Sequence, residues 1–246
     1  MKKMYSRPAS LTNNPFHYCP GCGHSIIHRL VAEVLDEMKL REKSICVPPA
    51  GCAVIAYNYL DIDMVEAPHG RATAVATGIK RVRPKNLVFS YQGDGDLAAI
   101  GTAEAFHAAN RGELITVIFV NNAVYGMTGG QMAPTSLVGQ KTTTSPAGRN
   151  SRLDGCPIKF SEILATLNGA SYLERVAVNT PSNIKKAKKA IGKSFAHQLK
   201  KTGFSMVEIL SPCPTNWRMT PVASCRWIDE VMVKEFPLGI IKELKC

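Results

Sequence analysis

The sequence predicts an α/β protein with a doubly wound, mostly parallel sheet and helices on both of its faces. Short apolar runs of strand length alternate with longer stretches of helical spacing, and the central runs are apolar throughout. Such runs are typical of parallel strands that helices cover on both sides. The chain has 246 residues without a repeat or an obvious linker, so we expect one domain over residues 1–246.

The elements of the first half follow from hydrophobic spacing and from breaks at proline and glycine. The predicted helices are residues 26–38, 72–83 and the alanine-rich 97–110. The predicted strands are residues 44–47, a weaker run at 62–65, residues 87–92, and the uniformly apolar 114–120. Strand and helix therefore alternate from the start, as a parallel sheet requires.

The second half opens with a long segment, residues 121–154, which is rich in Gly, Thr, Ser and Pro. A stretch of this length without regular structure is usually functional or interfacial. The elements predicted after it are a helix at 160–168, a strand at 172–178, a helix at 184–199, and a last strand at 204–210.

Charge and cysteine content narrow the class of protein. Thirty Lys and Arg against 19 Asp and Glu give a net charge of +11, which suits an anionic partner or a basic surface that simply faces solvent. No apolar run reaches the roughly 18–20 residues of a membrane span. The N-terminus lacks the apolar segment of an export signal. We therefore expect a cytoplasmic protein whose eight cysteines are metal ligands or buried thiols.

The first chemical signal is the turn Gly-Asp-Gly-Asp at residues 93–96, directly after a predicted strand. Glycines let the backbone approach phosphate oxygens, and the following helix offers unpaired N–H groups to an anion. Asp94 can face a phosphate only across a cation, and Mg²⁺ takes carboxylate, amide and phosphate oxygens. Asn122 ends the next strand, so we expect both side chains at one sheet edge. A tight turn with capping side chains is the alternative.

The second signal is the C-x-x-C pair formed by Cys19 and Cys22. Four thiolates hold either zinc or a [4Fe–4S] cluster, whereas an isolated pair is also compatible with thiol redox chemistry. A second C-x-x-C, which a zinc ribbon needs, is absent from the sequence. Spacing alone leaves the metal and the further ligands open. The remaining cysteines are Cys46, Cys52, Cys156, Cys213, Cys225 and Cys246.

Six segments occur in one order along the chain: FHYCPGCGH, PPAGCA, APHGRATAVATGIK, GDGD, VYGMTGGQMAPTS and SPCPTNW. Over nearly its whole length the sequence resembles the thiamine-diphosphate-binding beta subunit of 2-oxoacid:ferredoxin oxidoreductases. The resemblance implies the thiamine-diphosphate-binding fold, with thiamine diphosphate, Mg²⁺ and a [4Fe–4S] cluster as cofactors. It also implies other subunits of the same hetero-oligomeric enzyme as partners.

The resemblance also implies site residues. Mg²⁺ would be held by the side chains of Asp94 and Asn122 and by the carbonyl of Val124. The residues expected to contact the cofactor are Gly51, Cys52, His24, His69, Gly93, Asp94, Gly95, Asp96, Leu97, Asn122, Val124, Tyr125, Gly126, Met127 and Thr128. His24 and His69 are expected to make polar contacts there.

The same resemblance assigns the cluster ligands. They would be Cys19, Cys22, Cys52 and Cys213. We prefer Cys52 to its rival Cys46 because it follows Gly51 and starts a plausible helix, as the family motif does. The cysteines that match no family motif are expected to be ordinary thiols; they are Cys156, Cys225 and Cys246.

The reaction implied by the resemblance converts a 2-oxo acid, CoA and oxidised ferredoxin into acyl-CoA, CO₂ and reduced ferredoxin. In this family the glutamate that activates thiamine comes from a partner chain, so we expect this chain alone to be inactive. Relatives that act on 2-oxoglutarate tend to carry lysine where Gly129 stands, and a buried distal carboxylate would need such a cation. We therefore favour a branched-chain substrate such as 2-oxoisovalerate, with 2-oxoglutarate, pyruvate and aryl pyruvates as alternatives.

Two other classes stay open on the sequence alone. A non-oxidative thiamine-dependent enzyme would leave the set of cysteines unexplained. A zinc-stabilised nucleic-acid-binding module would account for the basic charge and the C-x-x-C pair, but not for Asp94 and Asn122. The lysines at residues 185–201 have no aromatic residues interleaved at the spacing that base stacking needs, so we expect no nucleic-acid partner.

Overall fold

A sheet of seven strands forms the centre of the computed structural model, which describes residues 6–244. The strands are β1 (Ser44–Val47), β2 (Asp63–Met64), β3 (Leu87–Gly93), β4 (Thr116–Asn121), β5 (Ala170–Ala177), β6 (Phe204–Leu210) and β7 (Gly239–Glu243). They lie in the order β2-β1-β3-β4-β6-β5-β7. Every neighbouring pair is parallel except β5 and β7, which confirms the mostly parallel sheet. Residues 1–5 and 245–246 lie outside the described residues. They include the start of the segment that is expected to carry no export signal, and Cys246, which is expected to be an ordinary thiol.

Helices cover both faces of the sheet. They are α1 (His24–Glu37), α2 (Ala72–Val82), α3 (Thr102–Arg111), α4 (Ser151–Asp154), α5 (Phe160–Ala165), α6 (Pro181–Leu199), α7 (Pro214–Trp217), α8 (Pro221–Trp227) and α9 (Val233–Glu235). Helices α1 and α6 share one core with Phe89, while α2, α3 and α5 share another with Val88. Successive residues of β3 thus face opposite cores, so the doubly wound prediction is confirmed. No helix within residues 6–244 combines the length and apolarity needed to cross a membrane.

The predicted helix at residues 97–110 is interrupted in the structure. A π-helical turn, Asp96–Ile100, precedes α3, and Gly101 separates the two. A Cβ atom on Gly101 would lie 2.7 Å from the carbonyl oxygen of Gly70. The close approach of the Gly70 loop therefore requires a glycine here and accounts for the break. The other predicted elements are confirmed, with ends that differ by a few residues.

The prediction that Phe204–Leu210 is the last strand is wrong. Strand β7 follows it and pairs antiparallel with β5 at the edge of the sheet. Its residues are exposed or half-buried, because an edge strand has less of its surface covered than a central one. Strand β7 therefore lacks the continuous apolar run by which the central strands are recognised.

The carboxyl ends of β1, β3, β4 and β6 lie side by side at one edge of the sheet. The register pairs Gly93 with Val120 and Asn121 with Leu210, so the segments that follow these strands emerge next to one another. These segments are residues 48–53, 93–96, 122–130 and 211–217. Helix α1 begins at the same edge, where the N–H of Gly23 donates to the carbonyl of Pro212. Parallel topology thus gathers the predicted site segments in one place.

The irregular segment after β4 is organised around Arg149, which is buried. Its guanidinium donates hydrogen bonds to six backbone carbonyl groups at 2.6–3.3 Å. The acceptors are Ala133, Pro134, Ser136, Asp154, Gly155 and Cys156. Buried carbonyl groups outside helices and sheets need such partners. One arginine therefore fixes a segment whose regular structure, within residues 122–154, is limited to the short helix α4.

Candidate functional site

A cleft of about 310 Å³ opens at the carboxyl ends of β1, β3 and β4. The predicted cofactor contacts that line it are Gly51, Cys52, His24, His69, Gly93, Asp94, Gly95, Asp96, Asn122, Val124, Tyr125, Gly126, Met127 and Thr128. Leu97 is the exception, because its side chain is fully buried in the core shared by α2, α3 and α5. Its contact with the cofactor stays a prediction that its backbone alone could fulfil. The π-helical turn that contains Leu97 was not foreseen from the sequence.

Further residues line the cleft that the sequence did not single out. They are Pro49, Ala50, Ala53, Tyr91 and Ile100. The first three belong to the segment PPAGCA, so the whole motif could have been assigned to the site. No motif in the sequence pointed to Tyr91 or Ile100. Tyr91 lies near the end of β3, and Ile100 is the last residue of the π-helical turn.

Asp94 lies at the floor of the cleft and is only 3% exposed. Its Oδ2 atom accepts a hydrogen bond from the Thr135 hydroxyl at 2.7 Å, and its Oδ1 accepts one from the N–H of Gly95 at 2.9 Å. Within residues 6–244, no cationic side chain forms an ion pair with it. Burial therefore raises the pKa of Asp94 to about 7. A bound cation would reverse this effect by favouring the carboxylate.

The Asn122 amide completes a group of possible cation ligands. It faces Asp94 Oδ2 at 3.2 Å and the carbonyl oxygen of Val124 at 2.7 Å. If the amide nitrogen faces them, it donates to both; if the amide oxygen does, three oxygen atoms converge. The orientation of an amide follows from its partners, and a bound cation would stabilise the second arrangement. Carboxylate, amide and carbonyl oxygens are the donors that Mg²⁺ takes, so these residues fit the ion.

The loop that carries Asn122 and Val124 is held in an unusual backbone conformation. Ala123 has a φ angle of 56°, in the left-handed region that non-glycine residues rarely adopt. The Asn121 side chain supports it, since its Oδ1 accepts from the N–H of Ala123 at 3.1 Å and its Nδ2 donates to Glu208 at 2.8 Å. Glu208 is in turn ion-paired with the buried Arg175 at 2.8 Å. A buried polar network beneath the cleft thus orients the loop.

Asp96 and Gly95, which are both expected to contact the cofactor, also make contacts inside the protein. The carboxylate of Asp96 accepts hydrogen bonds from His69 and Gln92, each at 2.6 Å, and from the N–H of Gly70. These hydrogen bonds hold the loop that contains His69 and Gly70 against Asp96. A Cβ atom on Gly95 would lie 2.8 Å from the Tyr125 ring. The packing of this ring therefore already requires a glycine, in addition to any approach of phosphate.

A second cavity of about 200 Å³ adjoins the cleft. The predicted cluster ligands all line it: Cys19, Cys22, Cys52 and Cys213. Cys52 also lines the cleft and so lies between the two sites. The rival Cys46 is fully buried in β1, and neither cavity includes it, Cys156 or Cys225.

The four cysteines are donors that a metal centre could use. Within residues 6–244, no three His, Cys, Asp or Glu side chains surround a single point as ligands of one ion would. A [4Fe–4S] cluster binds each cysteine through a different iron. Burial raises the pKa of Cys22 and Cys52 to about 12, so metal binding would have to displace their protons. Four thiols that line one cavity thus match the number and kind of ligands that a cluster takes.

His24 lies between the cleft and the cysteine cavity and lines both. Its Nδ1 atom is hydrogen-bonded to the Tyr91 hydroxyl at 2.9 Å, and its ring stacks on Tyr18 with 4.9 Å between centroids. Burial, with 3% of the residue exposed, lowers the pKa of His24 to about 4, so the imidazole is neutral at neutral pH. Its Nε2 has no hydrogen-bond partner among the described residues and is available to a bound group.

Comparison with known proteins identifies the family. The model of the thiamine pyrophosphate enzyme C-terminal TPP binding domain matches residues 50–209. The chain is 47% identical over 238 residues to ketoisovalerate oxidoreductase subunit VorA of Methanothermobacter marburgensis, covering 97% of this chain and 50% of that protein. It is 37% identical over 230 residues to 2-oxoglutarate synthase subunit KorB of Archaeoglobus fulgidus, covering 94% and 82% respectively.

A solved structure extends the likeness to three dimensions. The 2-oxoglutarate:ferredoxin oxidoreductase of Magnetococcus marinus, with 2-oxoglutarate, coenzyme A and succinyl-CoA bound, superposes with a TM-score of 0.83 at 25% identity. The match covers 100% of this chain and 87% of that one. The chain spans about half the length of the VorA relatives that it matches. It belongs to the thiamine pyrophosphate enzymes and, among them, to the subunits of 2-oxoacid:ferredoxin oxidoreductases.

Proposed function

We propose that this chain is the thiamine-diphosphate-binding subunit of a CoA-dependent 2-oxoacid:ferredoxin oxidoreductase in the cytoplasm. One observation carries the proposal: a cleft with the side chains of Asp94 and Asn122 in its lining adjoins a cavity with four cysteines, and Cys52 lines both. The enzyme would convert a 2-oxo acid, CoA and oxidised ferredoxin into acyl-CoA, CO₂ and reduced ferredoxin. Its organisation as one domain over residues 1–246 stays a prediction.

The residues of this chain would bind and orient the cofactors. Thiamine diphosphate would supply the electron sink for loss of CO₂, and a [4Fe–4S] cluster would accept electrons one at a time. Asp94, Asn122 and the Val124 carbonyl would hold Mg²⁺, which compensates the charge of a buried carboxylate next to a diphosphate. His24, neutral and with a free Nε2, would offer a hydrogen bond to a polar group at the junction of the two cavities.

Partner subunits would complete the site. Ile100 and Met127 line the cleft, yet they are 50% and 59% exposed. A partner that covers the mouth of the cleft would bury this apolar surface and exclude water from the reacting groups. The activating glutamate of the aminopyrimidine ring would also come from that partner, which is why the isolated chain is expected to be inactive.

The lining of the cleft favours a substrate with an uncharged side chain. Neither cavity is lined by a lysine or an arginine within the described residues, and a distal carboxylate would need a cation on burial. Gly129, where 2-oxoglutarate enzymes tend to carry lysine, has a φ angle of 109°, which side chains rarely adopt. A lysine here would require a different turn. Together with the likeness to ketoisovalerate oxidoreductase subunits, this supports 2-oxoisovalerate as substrate.

Turnover of a panel of 2-oxo acids tests the proposed function. We expect the complex of this chain with its partner subunits, purified without oxygen and assayed with CoA and a viologen, to have its highest kcat/KM for 2-oxoisovalerate. The margin over 2-oxoglutarate should be at least about 10-fold, because an apolar pocket leaves the second carboxylate unpaired. Preference for 2-oxoglutarate would contradict the substrate assignment. No turnover of any 2-oxo acid would contradict the function.

The variant Asp94→Asn tests the cation site. It keeps the shape of the side chain but removes its charge, so the Mg²⁺-dependent affinity for thiamine diphosphate should fall by more than about 100-fold, beyond the usual effect of an outer-shell residue. Calorimetric titration of the complex measures this affinity. The exposed Asp229→Asn is the matched control and should bind normally. Equal affinity of Asp94→Asn and wild type would show that Asp94 does not serve the cofactor.

The cluster ligands are tested by iron and acid-labile sulfide analysis of cysteine variants. Cys213→Ser should lose most of the iron, because serine replaces one of four thiolates. Cys46→Ala should keep the full iron content, since Cys46 lies in the core of the sheet, and Cys225→Ser should do the same. Iron loss from Cys46→Ala with retention in Cys213→Ser would reverse the assignment.

A further inference from the structure

Asn216 links the two cavities through one amide group. It lies in α7 and lines the cysteine cavity. Its Nδ2 atom donates to Cys213 Sγ at 3.3 Å and to the carbonyl oxygen of Gly126 at 3.0 Å. An amide nitrogen carries two hydrogens, so one is available for each acceptor. Gly126 lines both the cleft and the cysteine cavity. A single side chain therefore joins a cysteine sulfur to a backbone carbonyl that the two cavities share.

The local sequence explains why Asn216 reaches the sulfur. Cys213 is the residue that precedes α7, and Pro214 starts the helix at a position where no N–H is needed. Residues three apart lie on the same side of a helical turn, which brings the amide of Asn216 over Cys213. Arg218, with a φ angle of 54°, ends the helix after this one turn. Helix α7 is thus just long enough to place Asn216.

Neighbouring contacts restrict the movement of Asn216. A Cβ atom on Gly130 would lie 3.1 Å from the Cβ of Asn216, so the turn at Gly130 packs closely against this side chain. The indole N–H of the adjacent Trp217 donates to the carbonyl of Asn122 at 3.0 Å. Helix α7 is therefore fastened to the loop at residues 122–130 at several points, and the Asn216 amide has a fixed orientation.

We propose that Asn216 is a positioning residue that raises the reduction potential of the cluster bound through Cys213 and fixes the Gly126 carbonyl in the cofactor cleft. An N–H group directed at a ligand sulfur stabilises the more negative, reduced form of a cluster, and such hydrogen bonds are among the factors that set its potential. The same amide transmits a shift of the loop at Gly126 to the sulfur. This inference rests on the proposed function, since it assumes a cluster at these cysteines.

The test compares Asn216→Leu and Asn216→Asp in the anaerobically purified complex. Leucine has about the size of asparagine but donates no hydrogen bond, and aspartate adds a negative charge at the same position. We expect the midpoint potential of the cluster, followed by electron paramagnetic resonance, to shift to lower values in Asn216→Leu and further in Asn216→Asp. The signal of this cluster is the one that Cys213→Ser removes. Thiamine diphosphate affinity should fall by about 3- to 10-fold, as for one lost hydrogen bond.

Asn110→Leu is the matched control. Asn110 is exposed in the last turn of α3 and lines neither cavity, so its variant should keep the potential and the affinity of the wild type. An unchanged potential in Asn216→Leu with full iron content would overturn the proposal. Loss of iron from both Asn216 variants would also overturn it, because Asn216 would then act in cluster assembly. A wild-type complex without iron at these cysteines would instead overturn the proposed function.

Discussion

The buried carboxylate of Asp94 is the constraint on which the rest of the site depends. Removing a charge from water is costly unless an opposite charge compensates it, and the described residues supply only hydroxyl, N–H and amide groups around Asp94. In the proposed site, a divalent cation between Asp94, Asn122 and an anionic ligand would satisfy all of these groups at once. The parallel register brings β3 and β4 to this point together. The network of Asn121 and Glu208 then holds the loop that supplies the remaining oxygens.

The second organising feature is the contact between the two cavities. Cys52 and His24 line both, and Asn216 spans them through its two hydrogen bonds. Transfer of single electrons from a bound cofactor to a metal cluster requires the two groups to be close. Residues of the same short segments line both cavities. In the proposed enzyme, the geometry of the cofactor and the electronic surroundings of the cysteines would therefore depend on each other.

The sequence predicted those structural features that depend on residues close together in the chain. Continuous apolar runs identified the central strands, and the Gly-Asp-Gly turn with Asn122 located the cleft, because parallel topology must bring strand ends together. Strand β7 was missed because an edge strand is only partly covered. The side chain of Leu97, in a π-helical turn, packs in the core and does not line the cleft. The contacts of Tyr91 with His24 and of Asn216 with Gly126 join distant segments, which no single stretch of sequence records.

In the proposed enzyme, a cation site at Asp94 and Asn122 and a four-iron cluster share one sheet edge. The most direct measurement is a crystal structure of the complete complex, grown without oxygen and with thiamine diphosphate, using anomalous scattering at the iron absorption edge. The account predicts iron within the cavity formed by Cys19, Cys22, Cys52 and Cys213, and a diphosphate bridged to Asp94 by a cation. Iron at other residues only, or a diphosphate bound away from Asp94, would contradict it.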